Sequence, residues 1–355
     1  MEIQKIMENF CEKMAEIALY QSAVKDPANK RITSLIEYKN RMKDNPDLLE
    51  LSRSRHKMTF YDAKTGYLRS YGYREKTIDD QILQIKLHQN KQYCWLLAEA
   101  YEEFEDFLEA AYAFMGFKDQ DNWPLRDYGN ITIPELSSKD FEWYLEKSKN
   151  KKDVPSSILN HFRANYPNLA KVETNNRLRV NLKLAIVLIA FLRHIIVHKG
   201  GIVDNRADFT KLVLTKVGLF NNGEPNPEYL SFIEQHFGGG KYENNILLLE
   251  VRIRKDIPLD FHYNVFGTLT GYLMAYASLI YENIELTSVK QIKSCIAANK
   301  KKIAKLQSKV KKQEAALKKA VDAEKKKPAK KKVVKKKVVK KKAPAKKKVA
   351  KKKKK

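Results

Sequence analysis

The sequence predicts a mainly α protein, a helical bundle that carries a small β-hairpin and short strand insertions. Three observations point there. Apolar residues recur at three- and four-residue intervals over long stretches, residues 184–192 are apolar on every side as a helix surrounded by helices must be, and one short stretch sets a clear turn between runs of β-formers. With 355 residues, of which 43% are hydrophobic and 10% aromatic, the chain is large enough to bury a sizeable core as one large or two ordinary domains.

Taken in order, residues 3–24 read as a helix with Ile3, Ile6, Phe10, Met14 and Ile17 on one side, and a second short helix is expected over 31–44. Residues 58–73 then alternate β-branched and aromatic residues around Asp62-Ala63-Lys64-Thr65-Gly66, where Gly66 can take the positive φ of a bulged hairpin turn. A long helix follows over 77–117. Leu97, Tyr101, Phe104, Leu108, Ala111 and Met115 form its inward stripe, while Glu99, Glu102, Glu103, Asp106 and Glu109 read as a solvated face. Glu105 shares a stripe with Tyr101, Leu108 and Tyr112, so its carboxylate is expected near the core or in a cleft.

The stretch 119–176 is polar and punctuated by proline, with short helices expected near 139–147 and 156–165. A central helix over 176–198 comes next and stops at Lys199-Gly200-Gly201, where glycine can cap its end. Residues 204–257 are mixed, with a helix over 208–219 and a strand or strand pair over 246–257. Pro258 is expected to open a last apolar helix reaching about residue 284. Gly238–Gly240 with Lys241 lack the spacing and the Ser or Thr of a phosphate-binding loop and read as a flexible turn.

Beyond residue 286, Ile296, Ile303, Val310 and Leu317 recur every seven residues, with Leu306 and Ala320 beside them and Asn299 and Gln313 interrupting. The expected organisation is therefore a helical domain over 1–285 with insertions at 58–73 and 204–257, a charged helix or short coiled coil over 286–324, and a disordered tail over 325–355. Of the formal net charge of +27, the 20 lysines of that tail carry most, leaving residues 1–324 at +7. The tail resembles the lysine-, alanine- and proline-rich tails of linker histones and histone-like bacterial proteins. Lysines such as Lys330, Lys335, Lys340, Lys346 and Lys351 are expected to neutralise phosphates of DNA or RNA without sequence preference, with a steep loss of affinity in salt. A solubilising or lipid-surface tail is the alternative, but no amphipathic anchor or lipidation motif accompanies it.

Cys11, Cys94 and Cys295 are few, odd in number and unpaired in spacing, which fits a reducing compartment rather than a disulfide scaffold or a structural zinc site. The acidic, amphipathic N-terminus is unlike a secretory or transit segment. The longest apolar run is about half of the roughly 20 residues that span a bilayer. A cytoplasmic, nucleic-acid-associated protein is expected, with no membrane partner.

The one compact polar cluster follows the apolar run: Phe191-Leu192-Arg193-His194-Ile195-Ile196-Val197-His198-Lys199-Gly200-Gly201. Ionisable groups so close to a core are costly without partners. They also suit RNA cleavage, which needs a base for the ribose 2′-OH, an acid for the leaving oxygen and positive charge on the phosphate. A guanidinium can fork onto two phosphate oxygens, and neither metal nor other cofactor is required.

Arg193-His194, three residues and His198 resemble the closing signature of the HEPN superfamily. The following glycine pair and Ile195-Ile196-Val197 look like the same sequences, and Tyr101-Glu102-Glu103-Phe104-Glu105-Asp106-Phe107-Leu108 is similar to an earlier bundle helix of many members. The resemblance is specific over roughly a dozen residues and looser over the helical body. The hairpin, residues 204–257 and the tail fall outside it. It implies a homodimeric helical bundle, in many members a metal-independent ribonuclease of toxin or antiviral systems. His198 would then be the acid/base residue, Arg193 the phosphate stabiliser, His194 the polar helper and Glu105 an auxiliary group.

On an ideal helix His194 and His198 lie about 40° apart but Arg193 and His198 about 140° apart, so a second subunit or a distorted last turn must bring them to one phosphate. Competing readings stay open. A zinc site would want Glu where Ile195 stands and a third ligand. His198 and Lys199 could complement the negative helix end, and Arg193 could pair with Glu105 between two helices. The leading expectation is a HEPN-type endoribonuclease. The alternatives are a non-catalytic HEPN-like scaffold binding DNA or RNA through its tail, or a bundle that binds a regulatory protein partner.

Overall fold

A computed structural model of the protein describes residues 2–151, 155–220, 225–252 and 262–325, except the side chains of 46, 252, 288–295, 298 and 316–325. The fold is mainly α, with one two-stranded hairpin and a second short strand pair. The chain forms two compact units, Met1–Lys290 and Gln291–Lys355. Among the described residues no helix is long and apolar enough to cross a membrane.

Helix α1 (Ile3–Arg41) is a single element where two short helices were expected over 3–24 and 31–44. Its N-terminal half buries Ile3, Ile6, Phe10, Met14, Ile17 and Gln21, and the stripe then fades to Leu35 alone. Pro27 lies inside it and ordinarily costs a helix about 3 kcal/mol. The favourable residues on either side carry the helix through that position, so the proline is not a boundary. After α2 (Pro46–Leu51), strands β1 (Ser54–Tyr61) and β2 (Leu68–Lys76) form an antiparallel hairpin, longer than 58–73 and bulged at Met58/Thr59. Its turn is closed by Asp62, whose carboxylate accepts from the Lys64 and Thr65 amides at 2.9 Å, and Gly66 takes φ +72°.

Helix α3 (Ile78–Lys118) starts at a capping box. The Thr77 hydroxyl accepts from the Asp80 amide at 3.2 Å, and the Asp80 carboxylate accepts from the Thr77 amide at 3.1 Å. From Tyr93 to Gly116 it is buried on most sides, against α1, against α6 and α7, and against α9. Phe10 of α1 meets Phe107 with ring centroids 5.1 Å apart. Helices α4 (Leu125–Tyr128), α5 (Ile133–Leu136), α6 (Phe141–Lys149), α7 (Ser156–Asn165) and α8 (Pro167–Thr174) close over the C-terminal end of α3. Trp123 lies flat on Tyr112 at 4.7 Å and donates its indole N–H to the Tyr112 carbonyl at 2.8 Å. Gly116 makes this possible, because a Cβ there would sit 2.5 Å from the indole.

Helix α9 (Leu182–Lys199) begins later than the expected residue 176, because Arg179 takes φ +56° and Asn181 caps the Leu184 amide at 3.1 Å. It ends as its glycines require, with Gly200 at φ +64° and Gly201 at φ +82°. Helices α10 (Arg206–Val217) and α11 (Pro227–Glu234) follow. Of the strand expected over 246–257, Glu250–Arg252 form β3, paired with β4 (His262–Asn264), and residues 253–257 lie outside the described residues. The last helix, α12 (Val265–Lys325), begins at Val265 rather than at Pro258, which lies outside the described residues, and continues unbroken past residue 284. Its first part is tied to α7 and α8 by a buried ion pair. Arg163 contacts Glu173 at 2.7 Å, and the Tyr276 hydroxyl donates to the same carboxylate. In the second unit Ile296, Ile303, Leu306 and Val310 are exposed on α12. The side chains of Leu317 and Ala320 are outside the described residues.

The segment between α11 and β3 is pinned to α3 by one side chain. The Asn90 amide donates to the Ile246 carbonyl at 2.8 Å and accepts from the Leu248 amide at 2.8 Å. Ile246 in turn donates its amide to the Gly201 carbonyl at 2.9 Å, so Asn90 indirectly sets the end of α9. Replacing Asn90→Ala strands a buried carbonyl and a buried amide, each costing about 1–3 kcal/mol. The variant is expected to lose about 2–4 kcal/mol in urea unfolding. A loss below about 1 kcal/mol would show that the clamp is dispensable.

Candidate functional site

The residues singled out in 191–201 separate onto two faces of α9. His194 and His198 are exposed, with ring centroids 4.6 Å apart and planes inclined at 51°. Their one-turn spacing brings the imidazoles together, as a 3.6-residue repeat dictates. Arg193 turns the other way and is half-buried against α3. Its Nη2 donates to Glu102 at 2.8 Å. The pairing with Glu105 considered from the sequence is thus replaced by one with Glu102, a residue read there as solvated face. The reason is desolvation: the Glu102 side chain is 58% exposed and keeps most of its hydration while pairing.

Glu105 lies in the same neighbourhood, one turn of α3 further on. Burial pushes its carboxyl up to about 7, with Arg193 pulling the other way and Glu109, Glu102 and Asp106 adding repulsion. Beneath it, the Tyr101 hydroxyl is buried, and burial together with the Glu105 charge holds its proton well above the usual range. Among the described residues neither the Tyr101 hydroxyl nor Arg193 Nε has a hydrogen-bond partner. A guanidinium, a phenol and a near-neutral carboxyl therefore meet where α3 and α9 touch, with the histidine pair on the adjoining open face. Shifted carboxyl groups beside a fixed cation concentrate at functional sites, although structural networks produce them as well.

Lys199 closes the helix and pairs with Asp204. Among the described residues no group of three or more His, Cys, Asp or Glu side chains gathers in a metal-holding arrangement. Cys94 is buried and free, packed near Gly201, and burial raises its thiol to about 12. The proposed tail contacts Lys330, Lys335, Lys340, Lys346 and Lys351 lie outside the described residues.

Sequence reasoning overlooked Glu102 as the partner of Arg193 and Tyr101 as its neighbour. Glu102 carried no signal beyond being one of several carboxylates on α3. Tyr101 was assigned to the core stripe, where it does sit, but its hydroxyl end reaches the polar cluster. No family model, curated protein or solved structure matches the chain.

The Glu105 carboxyl has a definite pH signature. Its folded value lies above its ordinary one, so the unfolded chain releases the proton first. Stability from this group is fully present at low pH and declines as pH rises from about 4.5 to about 7. Glu105→Gln removes the penalty. At about pH 8 the variant is expected to melt about 2–4 °C above the parent, the gap closing by about pH 4. An equal gap at both pH values would mean that Glu105 does not carry the shifted proton.

Proposed function

We propose that the chain is a metal-independent endoribonuclease of HEPN type, acting in the cytoplasm as a homodimer. The observation that carries this reading is the exposed imidazole pair His194 and His198, one turn apart, with the half-buried Arg193 next in sequence to His194. In this reading a neutral imidazole takes the proton of a ribose 2′-OH and the freed O2′ attacks the adjacent phosphorus. The bond to the 5′ oxygen breaks as a protonated imidazole returns a proton to it. The products are a 2′,3′-cyclic phosphate and a free 5′-hydroxyl, with no water, metal or oxidant consumed.

Arg193 supplies the charge that the crowded phosphate needs, but in the isolated chain it faces Glu102. A second copy is therefore part of the proposal: on dimerisation its Arg193 would leave its own Glu102 and approach the His198 face that the first copy's own Arg193 turns away from. The resemblance of residues 191–201 to the HEPN signature supports the same assignment and its setting in a toxin or antiviral system. The lysine-rich tail would raise the local concentration of RNA.

The Arg193–Glu102 ion pair favours a second reading, a HEPN-like scaffold without catalysis, in which Arg193 joins α3 to α9 and the tail alone holds nucleic acid.

Incubation with mixed cellular RNA in EDTA separates the two. The full chain is expected to release fragments ending in 2′,3′-cyclic phosphates, and His198→Ala to reduce the rate by at least about a hundredfold. No cleavage establishes the scaffold reading instead, and equal cleavage by both proteins overturns the assignment of His198.

A further inference from the structure

The β1–β2 hairpin is an anomaly of burial. A sheet with one face on a core alternates buried and exposed residues, yet almost every residue of this ribbon is exposed on both faces. The exposed set includes Phe60, Tyr61, Tyr67, Leu68, Tyr71 and Tyr73, between 47% and 76% accessible. Isolated two-stranded ribbons are marginal in water, and large aromatics in solvent do nothing to stabilise this one. The bulge at Met58/Thr59 brings Tyr71 over Phe60, ring centroids 6.1 Å apart. Tyr61 and Tyr73 alternate with Phe60 along their strands and so belong to the opposite face.

Between these rings run mostly positive charges. Over residues 53–76 there are seven Arg and Lys side chains against two carboxylates. Glu75 is engaged by Arg53 and Arg55, and Asp62 by Arg69. What the pairing leaves is positive: among the described residues Lys57, Lys64, Arg74 and Lys76 form no ion pair with a carboxylate. The turn itself, Asp62-Ala63-Lys64-Thr65-Gly66, is polar.

We propose that this ribbon is a binding platform for single-stranded nucleic acid. The proposal rests on the ribbon alone and stands whether or not His198 is catalytic. Unpaired bases stack on exposed aromatic rings irrespective of sequence, and interleaved Lys and Arg side chains track the phosphates. Duplex offers its phosphates but keeps its base faces stacked away, so tyrosines on the ribbon have nothing to stack upon. A second copy of the chain is disfavoured as occupant, because pairing two such ribbons edge to edge sets like charges opposite one another. An anionic lipid surface is disfavoured by the distribution of the rings. They line both faces along the strands, and the tip that would have to enter the bilayer is polar.

Photocrosslinking tests the platform in the full chain. The probe is an RNA oligonucleotide substituted with 5-bromouridine, presented in moderately high salt so that purely electrostatic binding is weakened. Peptide mapping is expected to place adducts on Tyr61, Tyr67, Tyr71 or Tyr73, to be displaced by unlabelled single strands and not by duplex. The variant Tyr61→Thr/Tyr71→Thr/Tyr73→Thr keeps β-forming residues at exposed positions, so it should fold as the parent does. It is expected to lose ribbon adducts and about tenfold or more in salt-resistant affinity. Adducts confined to other segments, equal displacement by duplex, or unchanged affinity in the variant would overturn the proposal. So would a loss of self-association or of binding to anionic vesicles in the variant while RNA affinity stays intact.

Discussion

The structure depends on one burial problem, that of helix α3. Its residues from Tyr93 to Gly116 carry apolar or aromatic side chains around most of the helix circumference, and no single neighbour can cover them. α1, α6, α7 and α9 each take a sector, and their own sequences match the sector they cover. α1 presents a stripe and then loses it, whereas α9 is apolar nearly all round because α3 covers only part of it. Burying a large aromatic or aliphatic side chain is worth about 1.5–3 kcal/mol, far more than the exposed ion pairs scattered over the surface.

That arrangement leaves α3 with a polar row it must accommodate. Glu102, Glu105 and Glu109 run along the border between its buried and exposed sides, and Arg193 enters at that border from α9. One guanidinium cannot satisfy two carboxylates equally. It binds the hydrated Glu102 and leaves Glu105 half-covered, with its proton held near neutrality. The consequence reaches the functional reading. Arg193 and the histidine pair lie on different sides of one helix, so joint action on one phosphate requires an approach from another copy. The histidines need no such help, since their one-turn spacing already places them side by side.

The hairpin obeys a different logic. It contributes its rings to no core and its edges to no larger sheet among the described residues. Its persistence is local: the Asp62 carboxylate organises the turn, Arg69 and Glu75 make short-range ion pairs, and Lys76 bonds Gln84 at its base. A segment held by local bonds, with its tyrosines and cations in solvent, does not support the fold.

The sequence by itself determined what depends on neighbours along the chain. The stripe of α1, the glycine end of α9 and the bulged turn at Gly66 were legible because each is set within a few residues. Local signals misled where a helix could continue against them. Pro27 did not stop α1 even where its apolar stripe has faded, and the positive φ of Arg179 delayed α9. Tertiary structure alone decided which carboxylate Arg193 takes, that Asn90 grips residues 246 and 248, and that the hairpin faces water on both sides. Those outcomes join residues scores of positions apart. They follow from how much water each candidate partner retains when the helices close, a quantity that no spacing along the chain contains.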